Sequence, residues 1–259
     1  MRIEDMKRRK RELGYTARQI SDLSGVPLGT VQKIFSGHTK APRYDTLRAL
    51  EAVLRWESPE LTRVPGKKQG EYTIADLEGF PEERRVELID GVIYDLASPT
   101  GAHQIAVGFL HAELWNFIRS NQGGCVVNIA PTGVQPDPED DTTLLEPDVL
   151  VTCDREKITM PGIKGAPDLV IEVLSPSTRK RDLLLKTGKY EQAGVRELWL
   201  VDHMNRRVLV YDFEHGNVVS MYGFRDKVPV LIFDGVLTID FGELSDYLDE
   251  LFGDEWWEQ

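Results

Sequence analysis

A carboxylate inside a run of apolar residues constrains this chain more than anything else in it, and the pattern occurs twice. Glu172 lies within Leu169-Val170-Ile171-Glu172-Val173-Leu174, and Asp148 follows Glu146-Pro147 and opens Val149-Leu150-Val151. Apolar runs of this length, rich in β-branched residues, read as buried strands. A charge buried in such a strand costs several kcal/mol unless it is paired or binds a cation. Lys186 follows on a stretch that reads as helix. Two acid-bearing strands with a cation close behind predict a hydrolytic metal site. The same residues allow a plainer reading, in which Asp148 caps a strand after Pro147 and Glu172 forms a buried ion pair with Lys186.

The charge is unevenly spread. Residues 1–68 carry 15 Lys/Arg against 8 Asp/Glu, a net of +7, whereas the remainder carries a net of −19. Such asymmetry predicts two modules, a basic one able to lie along phosphates and an acidic body that repels them unless a cation or basic patch intervenes. No run approaches the roughly 18 apolar residues of a membrane helix, and the charged start Met1-Arg2-Ile3-Glu4-Asp5 is unlike a signal peptide. A protein without membrane attachment, in a reducing cytoplasm, is expected. Cys125 and Cys153 are too few for a cysteine zinc site or a disulfide framework, and both are expected to be buried free thiols.

The first module, 1–57, reads as short helices. Thr16 is placed to cap a helix bearing Ala17, Ile20 and Leu23, Gly25 permits a tight turn, and a second helix from Leu28 buries Val31 and Ile34. Thr30, Gln32 and Lys33 then point outward. Asp45 is placed to cap a last helix carrying Leu47, Leu50 and Val53. This segment, with its Gly25-Val26 turn and Phe35-Ser36-Gly37 exit, resembles the lambda-repressor-like helix-turn-helix. The resemblance implies that the second helix enters the major groove of DNA, with Thr30, Gln32 and Lys33 as contact residues. The basic run Lys7-Arg8-Arg9-Lys10-Arg11 agrees. The plainer alternative is a helical adaptor whose polar face is only solvated.

Residues 58–70 contain Pro59, Pro65, Gly66 and Gly70 with little periodicity, and read as a linker. The large domain, 71–259, reads as α/β with a mixed sheet. Asp90-Gly91 between apolar runs predicts a hairpin. Ile105–Ile118 predicts a helix. Strands are expected at about 125–130, 133–135, 147–152, 168–174, 197–202, 207–211, 218–221 and 229–239. A helix from Ser177 or Thr178 carries Asp182, Lys186 and Tyr190, spaced four apart and so on one face. Another helix is expected near Leu244–Leu251. Asp137-Pro138-Glu139-Asp140-Asp141 reads as a solvated loop.

Glu87-Leu88-Ile89-Asp90-Gly91, His103, Pro147-Asp148, Ile171–Thr178, Asp182, Lys186, Tyr190 and Gly194–Asp202 together resemble the Uma-two family of endonucleases, similar to the PD-(D/E)xK, or restriction-endonuclease-like, superfamily. The resemblance covers about 72–250. It implies a phosphodiesterase using Mg²⁺ or Mn²⁺, with Asp148, Glu172 and the carbonyl of Val173 as metal ligands. Glu87 becomes an outer acid, and Lys186 stabilises developing negative charge. The superfamily's lysine usually lies two residues after the second acid. Leu174 stands there in this chain, and Lys186 supplies the charge from the next helix. His103 and Tyr190 are accessory candidates. The resulting expectation is a DNA endonuclease targeted by a helix-turn-helix and pairing as a homodimer. The alternatives are a DNA-binding regulator with an inactive nuclease-like domain, or an enzyme acting on RNA or a nucleotide.

Overall fold

The computed structural model describes residues 3–13, 15, 17–39, 42–54, 67–81, 84–175 and 181–253. The expected cap Thr16, most of the expected linker, and the helix start at Ser177-Thr178 lie outside the described residues. The chain forms two compact units, Met1–Leu96 and Ala97–Gln259.

The first unit begins with four helices, α1 (Ile3–Leu13), α2 (Ala17–Ser24), α3 (Leu28–Phe35) and α4 (Tyr44–Leu54). Each is too short to be stable alone, so packing must hold it. Met6, Ile20, Val26, Val31, Ile34, Leu50 and Leu54 supply that packing as one buried cluster. Gly25 joins α2 to α3 with φ +68, as its expected role in the turn requires. Asp45 lies inside the first turn of α4 and not at the cap, because the helix starts one residue earlier, at Tyr44. There it still complements the positive end of the helix dipole. After the single turn α5 (Ile74–Leu77), β1 (Val86–Ile89) and β2 (Val92–Asp95) pair antiparallel. Asp90 and Gly91 both have positive φ, which matches the twist of a tight hairpin. A side chain at Gly91 would meet the backbone of Gly70 at 2.7 Å, so only glycine fits.

The second unit opens with α6 (Gly101–Ser120), capped by Thr100, whose hydroxyl accepts from the His103 backbone N–H. The strands that follow are β3 (Val126–Ile129), β4 (Gly133–Gln135), β5 (Val149–Thr152), β6 (Gly162–Lys164), β7 (Leu169–Val173), β8 (Glu197–Asp202), β9 (Arg207–Asp212) and β10 (Val218–Gly223). Among the described residues the main sheet has the order β10-β9-β8-β7-β5-β3, and β4 pairs separately with β6. Only β7 and β8 are parallel in the main sheet. A parallel pair needs a long crossover. Here it carries a π-helical turn at Asp182–Lys186 and then α7 (Thr187–Ala193). The mixed α/β architecture is as expected. Val149, Val151, Leu169, Ile171, Trp199 and Val201 pack with Ala106, Leu110 and Leu114 of α6 in the main core.

Two expectations fail. The cysteines are not free: Cys125 and Cys153 are joined in a disulfide. They continue the β3–β5 ladder one step past the Val126↔Thr152 pair, so the register itself sets them opposite each other. Nor is 229–239 one strand. It is β11 (Lys227–Pro229), a 3₁₀ turn at Leu231–Phe233, and β12 (Thr238–Asp240) folded back antiparallel. Asp234 and Gly235, both at positive φ, reverse the chain as Asp90-Gly91 does. Helix α8 (Phe241–Phe252) closes the unit, capped by Asp240. No helix among the described residues is long and apolar enough to cross a membrane.

Candidate active site

Val149 pairs with Ile171 across β5 and β7, so the next step of the same register sets Asp148 opposite Glu172. The Val173 backbone N–H donates to Asp148 Oδ2 at 2.7 Å, tying the two strands at that point. His103 Nε2 lies 3.3 Å from the same oxygen. Asp148 Oδ1 has no partner among the described residues, and the side chain keeps 19 % of its surface exposed.

Glu172 is far more enclosed. Its Oε1 accepts from Lys186 Nζ at 2.9 Å and from the Tyr190 hydroxyl at 2.7 Å. Lys186 also lies 3.4 Å from Asp182 Oδ1, and Arg181 Nε lies 4.0 Å from that oxygen. Glu172, Arg181, Asp182, Lys186 and Tyr190 are all buried. The spacing of four does place Asp182, Lys186 and Tyr190 together. The π-helical geometry under the first two is a feature that recurs at functional sites. The buried ion pair that the sequence allowed therefore exists, and it lies beside Asp148.

His203 is a neighbour that sequence reasoning missed. It follows β8, is buried, and sets its ring perpendicular to that of His103, with centroids 6.2 Å apart. Burial, with His103 close by, lowers its pKa to about 4, so it is neutral near pH 7. Its place in the polar turn Asp202-His203-Met204-Asn205 gave no signal, because such a run reads as a hairpin loop.

The remaining expected residues lie in the first unit. Glu87 is buried on β1. Gln32 and Lys33 are exposed on α3. Thr30 is half-buried and lines a cavity of about 530 Å³ with Ser24, Arg43 and Thr46. Among the described residues no three His, Cys, Asp or Glu side chains gather as a metal-binding group. Asp148 and Glu172 remain as a pair of carboxylates. That is enough for Mg²⁺, which is held by one or two protein carboxylates and keeps several waters.

Residues 71–237 match the model of the Uma2 family, described as "Putative restriction endonuclease". The chain belongs to this Uma2 family. Residues 6–61 match a helix-turn-helix family. Among solved structures, a "putative nuclease belonging to DUF820" from Anabaena variabilis is similar in fold, with a TM-score of 0.56 and 22% identity. That match covers 68% of this chain and 98% of the other. No curated protein matches. The chain thus joins a nuclease-like domain of the Uma2 family to a DNA-binding helix-turn-helix.

Proposed function

We propose that this protein is a divalent-metal-dependent DNA endonuclease brought to its substrate by the helix-turn-helix. The observation that carries the reading is Asp148 set opposite Glu172, with Lys186 and Tyr190 on the latter. Asp148, Glu172 and the carbonyl of Val173 would hold Mg²⁺ or Mn²⁺. When bound, such an ion neutralises the scissile phosphate and lowers the pKa of water. His103 and the Val173 amide fix the Asp148 carboxylate in orientation. Lys186 pairs with Glu172 and brings positive charge to where a phosphate would lie. Tyr190 holds the Glu172 carboxylate in place. Gln32 and Lys33, with Thr30, contact DNA, and two chains act together on duplex DNA in the cytoplasm.

One observation favours a second reading. Glu172 Oε1 is already taken by Lys186 and Tyr190 in a buried cluster, as in a domain that has kept the fold and lost the chemistry. The chain would then be a DNA-binding regulator. Cleavage of supercoiled plasmid with Mg²⁺ or Mn²⁺ separates the two. Nicking by wild type, reduced about 10²-fold or more in a folded Asp148→Ala variant, supports the nuclease. Sequence-specific binding with no cleavage under either metal replaces it with the regulator.

A further inference from the structure

Among the described residues the main sheet ends at β10, in an edge without the usual protections. Val218, Val219 and Met221 are 54%, 50% and 65% exposed, and the strand Val218-Val219-Ser220-Met221-Tyr222-Gly223 contains no charge and no proline. Edge strands are normally blunted by lysine, proline, a bulge or short length. β10 instead pairs with β9 along all six residues without a bulge. The opposite edge, β3, is shorter, and the disulfide closes its end.

We propose that β10 is a docking edge for β10 of a second copy of this chain, paired antiparallel about a twofold axis at Ser220. The pleat decides the register. Directly opposed residues must share a face of the sheet, and a twofold axis normal to the sheet keeps the faces matched. Ser220 then opposes Ser220, Val219 of one copy opposes Met221 of the other, and Val218 opposes Tyr222. Every apolar side chain of the strand meets an apolar partner, the kind of cross-strand pair that stabilises a sheet. Both ends of the β9–β10 ribbon carry charges of both signs: Arg207 lies opposite Gly223, whose N–H donates to Asp226, and Asp212 lies opposite Val218, near Glu214 paired with Arg196. Neither end therefore opposes an antiparallel meeting of two copies. In a region carrying −19, this uncharged strand also lets two copies meet without opposing acids. The proposal rests on the two-chain part of the reading above and not on cleavage.

The test is the solution mass of the full chain by sedimentation equilibrium over a range of concentrations. Wild type is compared with Val219→Lys/Met221→Lys and with Val236→Lys, a control at an exposed site away from the edge. Wild type and control are expected at twice the chain mass, and the double-lysine variant at the chain mass with unchanged circular dichroism. Ser220→Cys reports the register independently of that variant's folding. It is expected to give a covalent dimer on mild oxidation, and Val218→Cys much less. A wild type that stays monomeric throughout overturns both the edge and the two-chain reading, leaving the strand for a different protein. A dimer that survives the two lysines, with no Ser220→Cys cross-link, overturns the edge alone.

Discussion

Glu172 and Glu197 lie on neighbouring parallel strands, both almost fully buried, and they differ in everything that surrounds them. Glu172 meets a lysine and a tyrosine hydroxyl, with Asp148 opposite. Glu197, at the start of β8, meets neutral donors among the described residues. Its Oε1 accepts from the Trp199 indole N–H at 2.6 Å and its Oε2 from the Ile232 backbone N–H at 2.9 Å. Burial pushes its pKa up. Glu197 is thus a clasp between β8 and the 3₁₀ turn, whereas Glu172 holds a charged pair beside a half-open carboxylate. Burial of an acid does not by itself mark chemistry. The presence of a cation and of a second acid is what separates the two.

The largest effect expected from this contrast follows removal of the cation. Lys186→Met takes the lysine away from two buried acids, Glu172 and Asp182, and the loss of stability should be about 3–5 kcal/mol. The double variant Lys186→Met/Glu172→Gln should recover part of that loss in thermal unfolding, because it removes one of the two acidic charges that faced the lysine. A Lys186→Met protein as stable as wild type would mean that Glu172 does not depend on its lysine, and the contrast with Glu197 would collapse.

A smaller effect is expected at the clasp. Glu197→Gln keeps the shape but turns an NH₂ group toward an N–H donor, which should cost about 1–3 kcal/mol. Cleavage per folded molecule should stay at the wild-type level, while Glu172→Gln abolishes it. Loss of cleavage in a folded Glu197→Gln protein would put both acids in the same class.

The sequence carried one half of this contrast openly. Glu172 interrupts an apolar run near its middle, and the spacing of Asp182, Lys186 and Tyr190 shows a shared helix face, so the cluster was legible before any coordinates. Glu197 was not, because a charge at the first position of a strand reads as a surface residue; what covers it, the turn at Ile232, is 35 residues away. The disulfide was hidden for a related reason. Cys125 and Cys153 face each other only through the pairing of β3 with β5, and a strand's register belongs to two segments at once. His203 depends on a ring-to-ring approach to a helix far away in the chain. In each case the missing information was long-range, while helix faces and tight turns, which are local, could be read directly. Asp234-Gly235 is a local signal of the same kind as Asp90-Gly91, and it divides 229–239 into two strands.

The smallest expected effect is a pH dependence, and it bears on the clasp alone. Glu197 has a folded-state pKa raised above its ordinary value of 4.5. Below 4.5 the carboxyl is protonated in both states, and its contribution to stability is fully present. As the pH rises past 4.5 the unfolded chain releases its proton while the folded protein still holds it. Stability falls over that interval and levels off above the folded pKa. Glu197→Gln cannot titrate, so it lacks this loss. The stability gap between wild type and Glu197→Gln, followed by chemical denaturation at a series of pH values, should therefore be widest at low pH and narrow as the pH rises. A gap that widens with pH would mean that the folded protein holds Glu197 more readily as a carboxylate, so that the Trp199 and Ile232 donors outweigh burial. Glu197 would then resemble Glu172 in charge as well as in depth, with only the lysine left to tell them apart.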